Sequence, residues 1–189
     1  MSANGNYYLA ANITIDKTYE TLFTGRLNGN GYTISTSVPL FENMSGTVMN
    51  LNVKGNIVVD GTYNGAIARR SSGNAYFENI TVNANLSGGT RTGGIVGYGV
   101  DGSVISLFRC TNNGKINGTT YVGGLLGYTQ GTILTVDECI NNGSVYSTGF
   151  AGGLVCRFGR NTATMSYVCN ITNSVNYGEV SVPDVRAAG

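Results

Sequence analysis

Gly93-Gly94-Ile95-Val96-Gly97, Gly123-Gly124-Leu125-Leu126-Gly127 and Gly152-Gly153-Leu154-Val155-Cys156 are three versions of one phrase, beginning 30 and then 29 residues apart. A fixed period of this size, carried by glycines and branched aliphatics, marks a stacked repeat architecture. A unit of such an array cannot bury its apolar face alone and must stack on its neighbours.

The repeat is longer than its glycine core. Downstream of Gly93 come Ser103-Val104-Ile105-Ser106-Leu107-Phe108-Arg109-Cys110 and then Asn112-Asn113-Gly114. Downstream of Gly123, Ile133-Leu134-Thr135-Val136-Asp137-Glu138-Cys139 and Asn141-Asn142-Gly143 repeat the order. The copy from Gly152 is stretched before Asn176-Tyr177-Gly178, and a degenerate earlier copy holds Gly65-Ala66-Ile67-Ala68. Irregular end copies are expected where a stack is capped.

No segment places apolar residues at i, i+3, i+4 and i+7 over three turns. Branched or alternating runs recur instead: Ile13-Thr14-Ile15, Val48 to Val53, Ile57-Val58-Val59, Ile80-Thr81-Val82 and Ile133 to Val136, each bounded by Gly or Asn. That is the pattern of strands and turns. A β-sandwich also contains many short strands, but it does not require self-similarity. The reading is an all-β, right-handed parallel β-helix (β-solenoid) with about 30 residues per coil, since parallel crossovers are overwhelmingly right-handed. One domain spans 1–189, with irregular coils over 1–62, repeats over 63–181 and a tail over 182–189.

Composition narrows the functional classes. The 189 residues include 29 Gly, 12 Tyr, 2 Pro and no Trp or His; charged residues are only 11 % and the net charge is +1. A basic footprint for nucleic acid or anionic lipid is missing, and no apolar run is long enough for a membrane helix. The first residues lack the basic and apolar regions of a leader. The segment is therefore expected to derive from a longer secreted protein or from one already processed, with an extracellular or cell-surface location.

The Gly-Gly-aliphatic-aliphatic-Gly cores followed by Cys-x-Asn-Asn-Gly resemble the GLUG-motif repeats of large bacterial surface and secreted proteins. The leading segment, Phe23-Thr24-Gly25-Arg26-Leu27-Asn28-Gly29-Asn30-Gly31-Tyr32-Thr33-Ile34, is similar to the region that precedes such repeats. The resemblance covers roughly residues 7–180. It implies a non-catalytic, extracellular repeat segment of an adhesin, stalk or secreted peptidase. Cys156, standing where the closing Gly is expected, departs from the pattern.

In a parallel stack, equivalent residues lie one strand spacing apart, ~4.7–4.9 Å. Asn112, Asn141 and Asn176 form one expected column, and Glu78, Arg109 and Glu138 another of alternating sign. A third, Arg70, Tyr98, Tyr128 and Arg157, is a candidate surface ladder: a half-buried face or a carbohydrate platform. Cys110 and Cys139 share a position in consecutive coils, while Cys156 and Cys169 fall in the last. Bridges Cys110–Cys139 and Cys156–Cys169 are open, but so few cysteines read mainly as buried thiols. Seven Asn-x-Ser/Thr triplets, at Asn12, Asn43, Asn79, Asn85, Asn117, Asn142 and Asn170, are candidate glycosylation sites.

Without His, Ser-His and Cys-His nucleophiles are unavailable. The acidic residues share no column that would pair two carboxylates for glycoside hydrolysis, and no cofactor or metal is expected. The chain reads as non-enzymatic: a structural stalk or adhesive module, able to associate end to end into filaments, with a host or matrix glycan or protein as partner. A carbohydrate-binding or carbohydrate-active β-helix is the alternative. An ice-binding solenoid, which needs a regular Thr rank, fits less well, because the residues before the glycine cores are Thr92, Val122 and Ala151.

Overall fold

Alternating branched residues between Asn and Gly turns build strands too short to stand alone, so each pairs with the strand one coil away. The computed structural model describes residues 2–131, 133–159 and 167–183. The carboxyl-terminal tail lies outside the described residues from 184 onward. All pairings between described strands are parallel, which makes the chain a β-solenoid. Asn6–Tyr8, Arg26–Asn28, Thr47–Val59, Asn74–Gly88, Val104–Phe108, Ile133–Asp137 and Val168–Thr172 lie side by side in chain order. Two smaller sheets complete the wall. One holds Phe41–Met44, Ala68–Ser71, Val96–Gly99, Leu126–Thr129 and Val155–Phe158; the other holds Tyr63–Gly65, Arg91–Gly93, Tyr121–Gly123 and Phe150–Gly152.

Coil length is not uniform. Asn6 pairs with Arg26 and Arg26 with Thr47, steps of 20 and 21 residues. From Thr47 to Tyr76 the step is 29, from Tyr76 to Ser106 it is 30, and from Ser106 to Thr135 it is 29. Thr135 to Asn170 takes 35. The difference is the glycine core. The sheet that begins at Tyr63–Gly65 has no member in the first two coils.

The glycine core is an inward-folded arch. Its tip residues Ile67, Ile95 and Leu125 are fully buried, as are Val96 and Leu126 on the returning arm. The returning arm lies backbone against backbone with the entering arm of the coil before it: a Cβ on Gly97 would stand 2.7 Å from the main-chain N and O of Asn64. Only glycine permits that approach. Around the arches, Val48, Phe77, Leu107 and Val136 stack in one inward column with no exposed surface. Each such side chain contributes ~1.5–3 kcal/mol on burial.

The second glycine of the motif makes room for a different column. A Cβ on Gly124 would collide with the Gly153 carbonyl and lie 2.6 Å from Asn141 Nδ2; on Gly153 it would lie 2.5 Å from Asn176 Cγ. Asn112, Asn141 and Asn176 are in register. Asn112 Nδ2 donates to Asn141 Oδ1, and Asn141 Nδ2 to Asn176 Oδ1, both at 2.7 Å. Each amide also donates to the carbonyl two residues on, at Gly114, Gly143 and Gly178. The glycine core and the Asn-Asn-Gly phrase are therefore two halves of one packing unit.

The charge column is shifted from its expected register. Glu78 pairs with Phe108, and Thr81 with Thr111, so Asn79 rather than Glu78 stands opposite Arg109. The step across this coil is 30 residues, not the 31 that would align Glu78 with Arg109. Arg109 still reaches Glu78 diagonally and lies 4.0 Å from Glu138. With Arg109 52 % exposed, each pair contributes ~0–1 kcal/mol. The register instead forms a column of left-handed residues, with φ of 51° at Asn50, 52° at Asn79, 49° at Arg109, 53° at Glu138 and 50° at Asn173.

The cysteines are free thiols. Cys110 and Cys139 are buried on consecutive rungs, and the Cys110 amide donates to Cys139 Sγ at 3.4 Å. Burial pushes the Cys110 thiol well up. Cys156 is half-buried and Cys169 exposed, so the expectation of buried thiols fails for the latter. Cys169 lies on Val168–Thr172, at the end of the described stack. The positions before the glycine cores form no outward Thr rank: Asn64, Thr92 and Val122 are in register and fully buried.

Candidate functional site

The outer mouth of each arch is closed by two side chains seven residues apart, one from each arm. The returning arms place Arg70, Tyr98, Tyr128 and Arg157 in one register column. The entering arms place Tyr63, Arg91, Tyr121 and Phe150 in a second column beside it. Parallel in-register pairing fixes each column, while the arch brings the two together.

The columns interleave as a stripe. Tyr63 stacks on Tyr98, with centroids 4.9 Å apart and planes 10° from parallel, and Tyr121 stacks on Phe150 at 5.5 Å and 11°. The Arg91 guanidinium lies over Tyr98 at 4.8 Å, Tyr63 at 5.3 Å and Tyr128 at 5.4 Å. Arg157 lies over Tyr128 at 5.1 Å and Tyr121 at 5.2 Å, and its Nη1 donates to Tyr121 Oη at 2.6 Å. Such contacts contribute ~0.5–2 kcal/mol each, more as they lose water. Tyr98 donates its hydroxyl to Gln130. Burial raises the Tyr98 pKa, against the opposing pull of Arg91.

The cations of the stripe differ in their partners. Glu42 holds Arg69 at 2.9 Å and Arg70 at 3.3 Å. Arg91 forms no ion pair or hydrogen bond with a described residue, and its Nε is buried without a partner. Arg157 is likewise without a carboxylate among the described residues. Because the rings stack on one another, their faces are occupied, and the stripe offers edges and guanidinium N–H groups instead. Phe150, 61 % exposed, is the exception at its end.

The sequence supplied one column of this stripe and missed the other. Its signal was available: 63/70, 91/98, 121/128 and 150/157 keep one spacing across the glycine core. Without the arch, nothing says that residues seven apart on strands should touch.

The seven sequons divide by what their amides do. Asn79, Asn85 and Asn142 donate Nδ2 to Asn50, Asn56 and Asn113 in cross-coil ladders. Asn12 accepts from the Thr33 amide and Asn43 from Ser72. Asn117 and Asn170 are exposed.

A third feature is the amino-terminal mouth of the solenoid. There Tyr7, Leu9, Ile15, Tyr19, Ile34 and Leu40 line an apolar cavity of about 430 Å³.

With this geometry in hand, the class is a parallel β-solenoid whose repeat carries an arginine–tyrosine stripe. No protein-family model and no curated protein matches the chain. Among solved structures it is similar to a Bacteroides ovatus protein described as a "putative immunoglobulin A1 protease". The match has a TM-score of 0.71 at 18 % identity, covering 92 % of this chain and 60 % of that one. At this identity the likeness concerns the fold alone.

Proposed function

We propose that this segment is a non-catalytic, GLUG-like repeat module of an extracellular or cell-surface protein, serving as a rigid stalk whose outer columns form an adhesive surface. The observation that carries the reading is where the repeat spends its polar side chains. Asn112, Asn141 and Asn176 bond coil to coil in the interior. Glu42, Glu78 and Asp137 are engaged across coils with Arg69 and Arg70, Arg109, and Thr172 and Asn173. These three carboxylates hold neighbouring coils together, which supports a structural rather than a catalytic use of them. The protease designation of the structural neighbour is compatible with such a module in a larger protein, because this chain spans 60 % of that one.

Both described ends of the stack are apolar. The amino end opens on the cavity lined by Tyr7, Leu9 and Ile15, and the carboxyl end exposes Val168, Ile171 and Val180. Unpaired strand edges on such faces recruit further strands. End-to-end association of copies would be heterologous and non-closing, and so would give filaments.

Two assays test the proposal. Immobilised chain is challenged with glycans and matrix proteins, and its hydrolysis of those glycans and of casein is followed. Retention without turnover is expected; turnover abolished by a point substitution would end the non-catalytic reading. Light scattering over a concentration series, with electron microscopy, tests association; a strictly monomeric chain removes the filament.

A further inference from the structure

We propose that the arginine–tyrosine stripe is a binding track for a linear acidic polysaccharide carrying a carboxylate or sulfate on alternate sugars, read by Arg91 and Arg157. This rests on the adhesive reading above and names the ligand class that the adhesive surface holds.

Arg26 also lacks a carboxylate partner among the described residues, but Arg91 and Arg157 are the cations that lie over the rings of the stripe without one. Arg69 and Arg70 share Glu42, and Arg109 pairs with Glu78. Arg91 and Arg157 have no carboxylate partner among the described residues, in a chain whose net charge is only +1. Each guanidinium carbon lies 4.8–5.4 Å from the centres of two or three rings, which holds the group in place before any ligand arrives. A planar fork fixed in this way is suited to bidentate recognition of a carboxylate or sulfate. The Arg91 terminal N–H groups bond to no described residue, and the Arg157 guanidinium spends one donor on Tyr121 Oη.

Spacing selects the polymer. Arg91 is in register with Tyr121, and Arg157 with Tyr128 of that same coil. Tyr98 links the rungs, pairing with Tyr128 from the coil of Arg91. Their backbone positions are thus two rungs apart, about 9.5 Å along the axis and in neighbouring columns. An extended β-linked polysaccharide advances by close to one strand spacing per pyranose, so charges on alternate sugars meet alternate rungs. An extended acidic peptide repeats its same-face side chains every ~6.6–6.8 Å and falls out of step. Duplex nucleic acid presents a charge every ~1.7 Å and needs a denser field of cations. The exposed face of Phe150, next to Tyr121 at the end of the stripe, offers one pyranose a stacking surface.

The test is calorimetry of the intact chain with hyaluronan, whose carboxylates fall on alternate sugars, with alginate and chondroitin sulfate, which are charged on every sugar, and with neutral dextran, at about 50 mM salt. Expected are binding to hyaluronan, none to dextran, and steep weakening by about 300 mM salt. Arg91→Gln and Arg157→Gln each weaken binding at least ~10-fold, Arg91→Lys weakens it less, and Arg109→Gln leaves it unchanged. If Arg91→Gln melts too early to be read, Arg157→Gln, at the end of the stripe, carries the same comparison. The proposal is overturned if hyaluronan binds no better than dextran, or if the double variant Arg91→Gln/Arg157→Gln binds like the parent. Retention of a neutral glycan or matrix protein, unchanged by either variant, would overturn the track yet leave the adhesive reading standing.

Discussion

Asn112 donates its side-chain amide to Asn141 inside the solenoid at 2.7 Å, and Asn141 repeats the bond to Asn176 at the same distance. A buried polar group is tolerated only with its hydrogen bonds made. Here each amide makes one bond along the axis and one to its own turn. Truncating Asn141 removes two ladder bonds and its bond to Gly143 O. Asn141→Ala is expected to destabilise by about 2–4 kcal/mol in urea unfolding. A loss within ~0.5 kcal/mol would show that the ladder is passive.

Gly124 is the partner of that ladder. Any Cβ there meets the Gly153 carbonyl and the Asn141 side chain, and backbone cannot step aside. Gly124→Ala is expected to cost about 3 kcal/mol, read as a lower urea midpoint. The degenerate copy supports the coupling. Ala66 stands where the other copies have their second glycine, and Val82 occupies the register position of Asn112.

Glu138 sits at φ 53° among left-handed neighbours, with only a 4.0 Å ion pair to Arg109 to lose. Asn tolerates this conformation better than Glu. Glu138→Asn is expected to stabilise by about 0.5–1 kcal/mol, seen as a raised melting temperature. A neutral or lower value would mean that the ion pair outweighs the backbone relief.

Thiol labelling should follow position in the stack. Cys169 is exposed, Cys156 half-buried, and Cys110 and Cys139 buried. Burial raises the thiols of Cys110, Cys156 and Cys169 and so lowers their thiolate fraction. With a maleimide at neutral pH, Cys169 is expected to react first and Cys156 more slowly. The other two should react only on unfolding. Rapid modification of Cys110 in the folded chain would contradict the burial.

Asp137 ties the last coil down: Thr172 Oγ1 and Asn173 Nδ2 donate to its Oδ1 at 2.7 Å and 3.0 Å. The Thr172 bond, then that from Asn173, holds its carboxyl below the ordinary value. A depressed folded-state pKa contributes stability above the unfolded value, near ~3.9, and that stability is lost as pH falls through the lower folded value. Protection from hydrogen exchange at Val168–Thr172, corrected for the intrinsic rate, is therefore expected to fall as pH drops below about 4, and Asp137→Ala should flatten that dependence. An unchanged profile would remove Asp137 from the acid response.

The solenoid was legible because parallel in-register stacking turns a period of about 30 residues directly into neighbours. The Asn ladder followed from that alone. The Glu78 column did not, since one residue of coil length shifts every pairing downstream and the sequence marks no coil boundary there. The first two coils, with steps of 20 and 21 residues, carry no glycine core and so no period to read.

The sequence by itself therefore determined the stack, its period and the residues that recur on each rung, because those depend on separation along the chain. What only the tertiary structure decided is which recurring columns meet. The arch folds inward because its aliphatic tip is buried and its glycines let the arms touch, and so Arg91 comes to lie over Tyr98 at 4.8 Å. Strand periodicity gives no reason for residues seven apart to be in contact. The candidate site exists only where two backbones approach closely enough to bring them together.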